Sequence, residues 1–178
     1  MFFSNKRKMI NDKIYYIIPE KVISDTTTVL CDYASIEPSN EGLVYWGGLL
    51  SNDKITITAV IAPKTESNWG RISTSHRSNF EFVKILNKKE IVQIAQVHSH
   101  PEEWVEHSPG DNKWAAFKSE GLVSIVVPNY CKNGMLPLTK CGVHRYMSEK
   151  FIRLHDDYVK THFEIRKNLK SDFLDLRK

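Results

Sequence analysis

Two apolar runs, IVQIAQVHSH (91–100) and LVSIVVP (122–128), constrain the fold more than any other feature of the chain. Both are of strand length, rich in β-branched residues and apolar enough to lie in the middle of a sheet. A central strand needs neighbours on both edges, and the rest of the chain offers them. KIYYIIP (13–19) reads as a first strand, and EGLVYWGGLL (41–50) and KITITAVIAP (54–63) as two more, joined by the turn residues SND. CGVHRYM and KFIRL, from Cys141 to Leu154, read as a closing hairpin.

Helical patterns alternate with these strands. Pro19 can open a helix in which Val22, Ile23, Val29, Leu30 and Tyr33 form one stripe, although the run Thr26–Thr28 weakens it. A second helix is predicted near 76–88, with Phe80, Val83, Ile85 and Leu86 at its apolar positions. A C-terminal helix is predicted from His155, where Tyr158, His162 and the span Ile165 to Leu169 recur at helical spacing. Residues 64–75 read as an exposed loop. This alternation predicts a mixed α/β (α+β) fold. With 178 residues and no repeat, low-complexity segment or linker, a single domain over 1–178 is expected.

Composition narrows the classes of function. The chain is 41% hydrophobic and 26% charged, enough to bury a core without disulfide staples. Its net charge is +4, but beyond NKRK at 5–8 the positive residues are scattered, so nucleic acid is not expected as a partner. Cys31, Cys131 and Cys141 form no CxxC pair, which argues against a disulfide framework or a cysteine-rich zinc site and for a cytoplasmic location. No stretch approaches the roughly 20 apolar residues of a membrane span, and IYYII stops at Pro19, so neither membrane nor signal peptide is expected.

The densest polar chemistry lies in QVHSHPEEWVEHSPGD (96–111). His98 and His100 stand two apart at a strand end, so both imidazoles point to one side, as two ligands of one metal must. Ser108, followed by Pro109 and then by Asp111 three residues on, is a helix N-terminus signature. A first-turn Asp is held rigidly and can face back toward the histidines. Two imidazoles and one carboxylate leave a fourth tetrahedral position open, which is the composition of a catalytic rather than a structural zinc site. Glu102, Glu103, Glu106 and His107 read as loop decoration. Trp104 is placed to cover the site or touch substrate, and Trp114 and Phe117 read as core positions on the following helix. His76, His144, His155 and His162 show no metal spacing. Zincins are excluded by the lack of HExxH, and zinc deaminases because HxE at 100–102 is followed by no PCxxC.

HxH, seven residues, then SxxD resembles the motif of the JAMM (MPN+) metalloproteases, and His98, His100, Ser108 and Asp111 match it without insertion. Pro101 matches the HxHP form, and the order strand, HxHP, helix, strand is also similar to the family's. Upstream the family carries a glutamate in ExxGxLxG. Glu41 of EGLVYWGG is the matching residue, with Gly48 in the last position, while Val44 and Trp46 stand where glycine and leucine are usual. Glu37, just before Pro38, is its nearest competitor.

The resemblance implies an MPN/JAMM-like domain with a mixed, curved central sheet flanked by helices. It implies one Zn²⁺ held by His98, His100 and Asp111, with Glu41 as base and then acid and Ser108 at the oxyanion. The implied reaction is hydrolysis at the C-terminus of a ubiquitin-like modifier, in removal or maturation. Stand-alone prokaryotic members are the nearest in organisation, and some act beside modifier-activating and modifier-conjugating enzymes in antiphage defence. Two alternatives stand beside it. One is a non-catalytic MPN-type scaffold. The other is a RadC-like DNA-associated protein, which shares the HxHP…SxxD core but for whose N-terminal helix-hairpin module residues 1–40 look short.

Overall fold

The computed structural model describes residues 13–36, 40–68 and 71–178. Strand β1 (Tyr15–Pro19) ends on the proline that precedes helix α1 (Glu20–Ala34). The chain then forms β2 (Leu43–Ser51), β3 (Lys54–Ala62), β4 (Thr65–Asn68), β5 (Arg71–Thr74), α2 (His76–Lys89) and β6 (Val92–Ser99). After a long turn come α3 (Pro109–Trp114), β7 (Val123–Val127), β8 (Gly142–Met147), β9 (Lys150–Arg153), α4 (Asp156–His162), β10 (Phe163–Arg166) and β11 (Asp172–Asp175).

Among the described residues one mixed sheet carries the strand order β10-β1-β3-β2-β6-β7-β8-β9, and β4 and β5 pair separately. It curls into a half-barrel with four helices, a mixed α/β single domain. The apolar runs that anchored the sequence reading, β6 and β7, are adjacent, parallel and central. The far edge of β3 is shared: β1 pairs with Lys54 to Thr56, and β11 with Ala59 to Ala62. No helix in the described residues is long and apolar enough to cross a membrane.

Period-two alternation in β2 sorts its residues to two cores. Val44 and Trp46 join the larger core beneath α1, with Val22, Val29, Leu30, Val97 and Ile125. Leu43 and Tyr45 face the other way, into a smaller cluster with Phe82 of α2 and Ile61. The threonine run in α1 has a structural use. The indole N–H of Trp46 donates to Thr26 Oγ1 at 2.8 Å, and both residues are buried. A buried indole needs an acceptor, so the helix gives up some propensity to supply one. Gly48 follows a bulge in β2, where a Cβ would sit 2.3 Å from the Thr56 carbonyl oxygen.

Three expectations need correction here. Residues 64–75 are not simply a loop, because β4 and β5 form an antiparallel pair with Glu66 opposite Ser73. Short polar strands carry no apolar run, so nothing in the sequence marked them. The C-terminal helix is confined to α4. Beyond it Phe163 and Ile165 alternate with Glu164 and Arg166, a period of two, and pair in parallel with Tyr16 and Ile18. Lastly, the helix opened by Ser108 ends at Trp114, so Phe117 reaches the core from a turn, edge-on to Tyr45 at 5.6 Å. Glu37 lies outside the described residues.

Candidate metal centre

The register between β2 and β6 builds the site. Leu43 pairs with His98, and Gly42 meets Ser99 through two hydrogen bonds, Ser99 N–H to the Gly42 carbonyl at 3.1 Å and Gly42 N–H to Ser99 Oγ at 2.9 Å. His98 and His100, two apart at the strand end, point to one side. Glu41, just ahead of Leu43, lines one groove with His98, Ser108 and Asp111 and a second with His100, Ser108 and Asp111.

His98 and His100 are 4% and 5% exposed. Their Nε2 atoms are 3.2 Å apart, and the Asp111 carboxylate lies 3.6 Å from the first and 3.2 Å from the second. His100 Nδ1 donates to the Trp104 carbonyl at 2.9 Å, so Nε2 is the ring nitrogen that faces His98 and Asp111. Trp104 also stacks its half-exposed indole on the His100 ring at 5.4 Å. One ligand atom from each of His98, His100 and Asp111 lies within 4.8 Å of the others. Two imidazole nitrogens and a carboxylate this close together could hold a metal ion.

Asp111 owes its position to a capping box. Ser108 Oγ accepts the Asp111 N–H at 3.0 Å, and the Asp111 carboxylate accepts the Ser108 N–H at 2.7 Å. One bond of this pair leaves the Ser108 hydroxyl proton free. On the other flank, Tyr130 N–H donates to the His100 carbonyl at 2.7 Å and Asn129 N–H to that of Glu102. Asn129, Tyr130 and Cys131 all take left-handed φ values, 54°, 51° and 62°. Such residues cost about 1–2 kcal/mol each, and they persist where the surroundings dictate them. The loop between the ligands also crosses β8 at Gly142, where a Cβ would fall 1.8 Å from the Val105 carbonyl oxygen.

The electrostatics follow from burial and these contacts. Burial raises the Glu41 carboxyl above its ordinary value, against the pull of His98 and His100. Burial also disfavours a charged Asp111, yet hydrogen bonds to His100, His98 and the Ser108 N–H hold its carboxyl far below the usual range. His100 is opposed by burial but raised overall by its bonds to Asp111 and Trp104.

The sequence reading of Glu106 and His107 as loop decoration is overturned. His107 is no loop ornament: its Nε2 lies 2.8 Å from Ser124 Oγ, and its ring packs on His144 and Phe151, each at 4.5 Å. Burial, with His144 and His98 nearby, lowers its pKa to about 2. Glu106 binds Arg153 and lies 3.5 Å from the Nε2 of buried His144, and the His144 contact, with Arg153, lowers its pKa to about 2. No local spacing announces these partners, which arrive from β7, β8 and β9. Glu102 and Glu103 are exposed, as expected of loop residues.

Glu106 carries a prediction. Its folded pKa lies below the unfolded value, so its contribution is complete above about pH 4.5 and is lost as pH falls toward 2. Glu106→Gln is expected to cost about 1–3 kcal/mol at pH 7. Thermal melts from pH 7 to 2 should show the gap between native and variant closing on acidification. An equal gap at all pH values would show that the contact is not charge-dependent.

No family model matches the sequence, and no curated protein matches it either. Among solved structures, the chain is similar to the solution structure of protein DSY2949 from Desulfitobacterium hafniense. The match has a TM-score of 0.63 and covers 86% of this chain and 94% of that one at 16% identity. At that identity the likeness is one of fold.

Proposed function

We propose that this chain is a zinc-dependent isopeptidase or peptidase of JAMM (MPN+) type, which hydrolyses the bond at the C-terminus of a ubiquitin-like modifier. The observation that carries the reading is the position of Glu41, which lines one groove with His98, Ser108 and Asp111 and a second with His100, Ser108 and Asp111. A two-histidine, one-carboxylate set also suits ferrous iron. A carboxyl base beside the ligands and a hydroxyl at the same groove suit hydrolysis, and with the motif resemblance they favour zinc.

In this reading His98, His100 and Asp111 would hold the ion, which would supply Lewis-acid chemistry and a reactive water at neutral pH. Glu41 takes the proton of the attacking water and delivers it to the departing amine, so one carboxyl serves both steps. Ser108 uses its lone pair on the Asp111 N–H and its own proton on the developing oxyanion.

The groove supports an extended substrate. On one side about 280 Å³ is bordered by Leu43, Tyr45, the β5 residues Ile72 to Thr74, and the small residues Gly110, Ala115 and Ala116. A second depression, bordered by Pro101, Glu102 and Trp104, meets it at Glu41, Ser108 and Asp111. Such a through-groove with small-residue walls suits a narrow C-terminal tail. Modifier-activating and modifier-conjugating enzymes, a cytoplasmic setting and a place in antiphage defence belong to the same proposal. The free thiols of Cys31, Cys131 and Cys141 are in keeping with that setting.

A panel of fusions to ubiquitin-like C-terminal tails, incubated with the purified chain, tests the reading. Cleavage at the tail's C-terminus is expected, abolished by chelator and restored by Zn²⁺. Chelator-insensitive cleavage would sink the metal mechanism. Zinc uptake without any cleavage would favour a scaffold, and salt-sensitive binding to duplex DNA would favour the RadC-like alternative.

A further inference from the structure

Behind the ligands runs a chain of hydrogen bonds that the motif does not include. Gln96 of β6 donates its Nε2 hydrogen to Ser124 Oγ of β7 at 3.1 Å. Ser124 Oγ, having accepted there, has its proton for His107 Nε2 at 2.8 Å. That assigns the ring hydrogen of His107 to Nδ1, which faces Asn112 Oδ1 at 3.2 Å. Asn112 follows Asp111 in α3. The chain thus joins both central strands to the helix turn that carries Ser108 and Asp111.

The ring at its centre is fixed by packing. His144 and Phe151 lie against it at 4.5 Å, and it meets His98 edge-on at 5.7 Å. Strand β6 brings the two histidines and α3 brings the aspartate, so the spacing among the three ligands depends on how firmly α3 is held to the sheet. The α3 helix has only six residues and cannot hold itself by packing alone.

We propose that His107 is a positioning residue for the metal centre: as the middle link from Gln96 and Ser124 to Asn112, it sets the distance between Asp111 and the His98–His100 pair. The inference rests on the metal-site reading. Outer partners of this kind typically change metal affinity by about 10- to 100-fold when removed.

The test is Zn²⁺ affinity of the full chain, read by competition with a chromophoric chelator, beside the melting temperature of the metal-free protein. Asn112→Ala cuts the helix end of the chain at an exposed side chain, so its folding is not at risk. It is expected to weaken Zn²⁺ binding by about 10-fold with little change in melting temperature. His107→Ala is expected to weaken it more, and His107→Asn, which keeps a donor near the Nδ1 position, to recover part of the loss. Adding Ser124→Ala to His107→Ala should weaken binding no further, since both break one chain. Native Zn²⁺ affinity in both Asn112→Ala and His107→Ala would overturn the proposal while leaving the metal site standing. A native chain that takes up no Zn²⁺ would overturn both.

Discussion

Replacing Glu41 by glutamine is expected to lower kcat for tail cleavage by about 10²–10⁴-fold while leaving Zn²⁺ binding intact. Glutamine keeps the shape of the side chain at the head of β2 but can neither take nor return a proton. Glu41 is not among the clustered ligand atoms, so the affinity for the ion should stay within a few-fold of native. Steady-state cleavage of the best fusion substrate, paired with metal analysis of the same sample, separates the two effects. A kcat within three-fold of native would mean that the proton moves by another route. Loss of the metal in this variant would instead make Glu41 a ligand.

Asp111→Asn should have the opposite signature. Removing the charge from the carboxylate that faces both imidazoles is expected to weaken Zn²⁺ binding by more than about 100-fold, beyond what outer partners cost. Cleavage should disappear at any Zn²⁺ concentration that does not saturate the variant. The fold should persist, because asparagine can still accept the Ser108 N–H. A pH signature accompanies it in the metal-free protein. The folded pKa of Asp111 is depressed, so its carboxylate stabilises the native state above the ordinary aspartate range and ceases to do so on acidification. Native and variant should therefore differ in melting temperature at neutral pH and converge in acid. Native-like zinc content in Asp111→Asn would remove Asp111 from the ligand set.

Much of this site was legible because its signals are local. The parity of His98 and His100 follows from strand geometry alone. The Ser108–Asp111 pairing follows from the spacing of a capping box, and both bonds are present. Glu41 was legible only as a motif position. What selects it physically is the β2–β6 register, set by hydrogen bonds between residues 57 apart in the chain. His107 could not have been singled out, since its partners Asn112, Ser124, His144 and Phe151 come from a helix and three strands. The polar hairpin at 65–74 and the two C-terminal strands escaped because short segments carry little periodicity, and β11 is defined by joining β3 more than a hundred residues upstream.

The sequence by itself determined the apolar central strands, the alternation that splits β2 between two cores, and the three side chains that can converge on one ion. These depend on side-chain period and on helix-end chemistry, which act within a few residues. Only the tertiary structure decided that Glu41 shares a groove with the ligands, what walls that groove, and how α3 is fastened to the sheet. Those depend on strand register and on packing between distant elements, where the free energy resides in contacts that no short window of sequence contains.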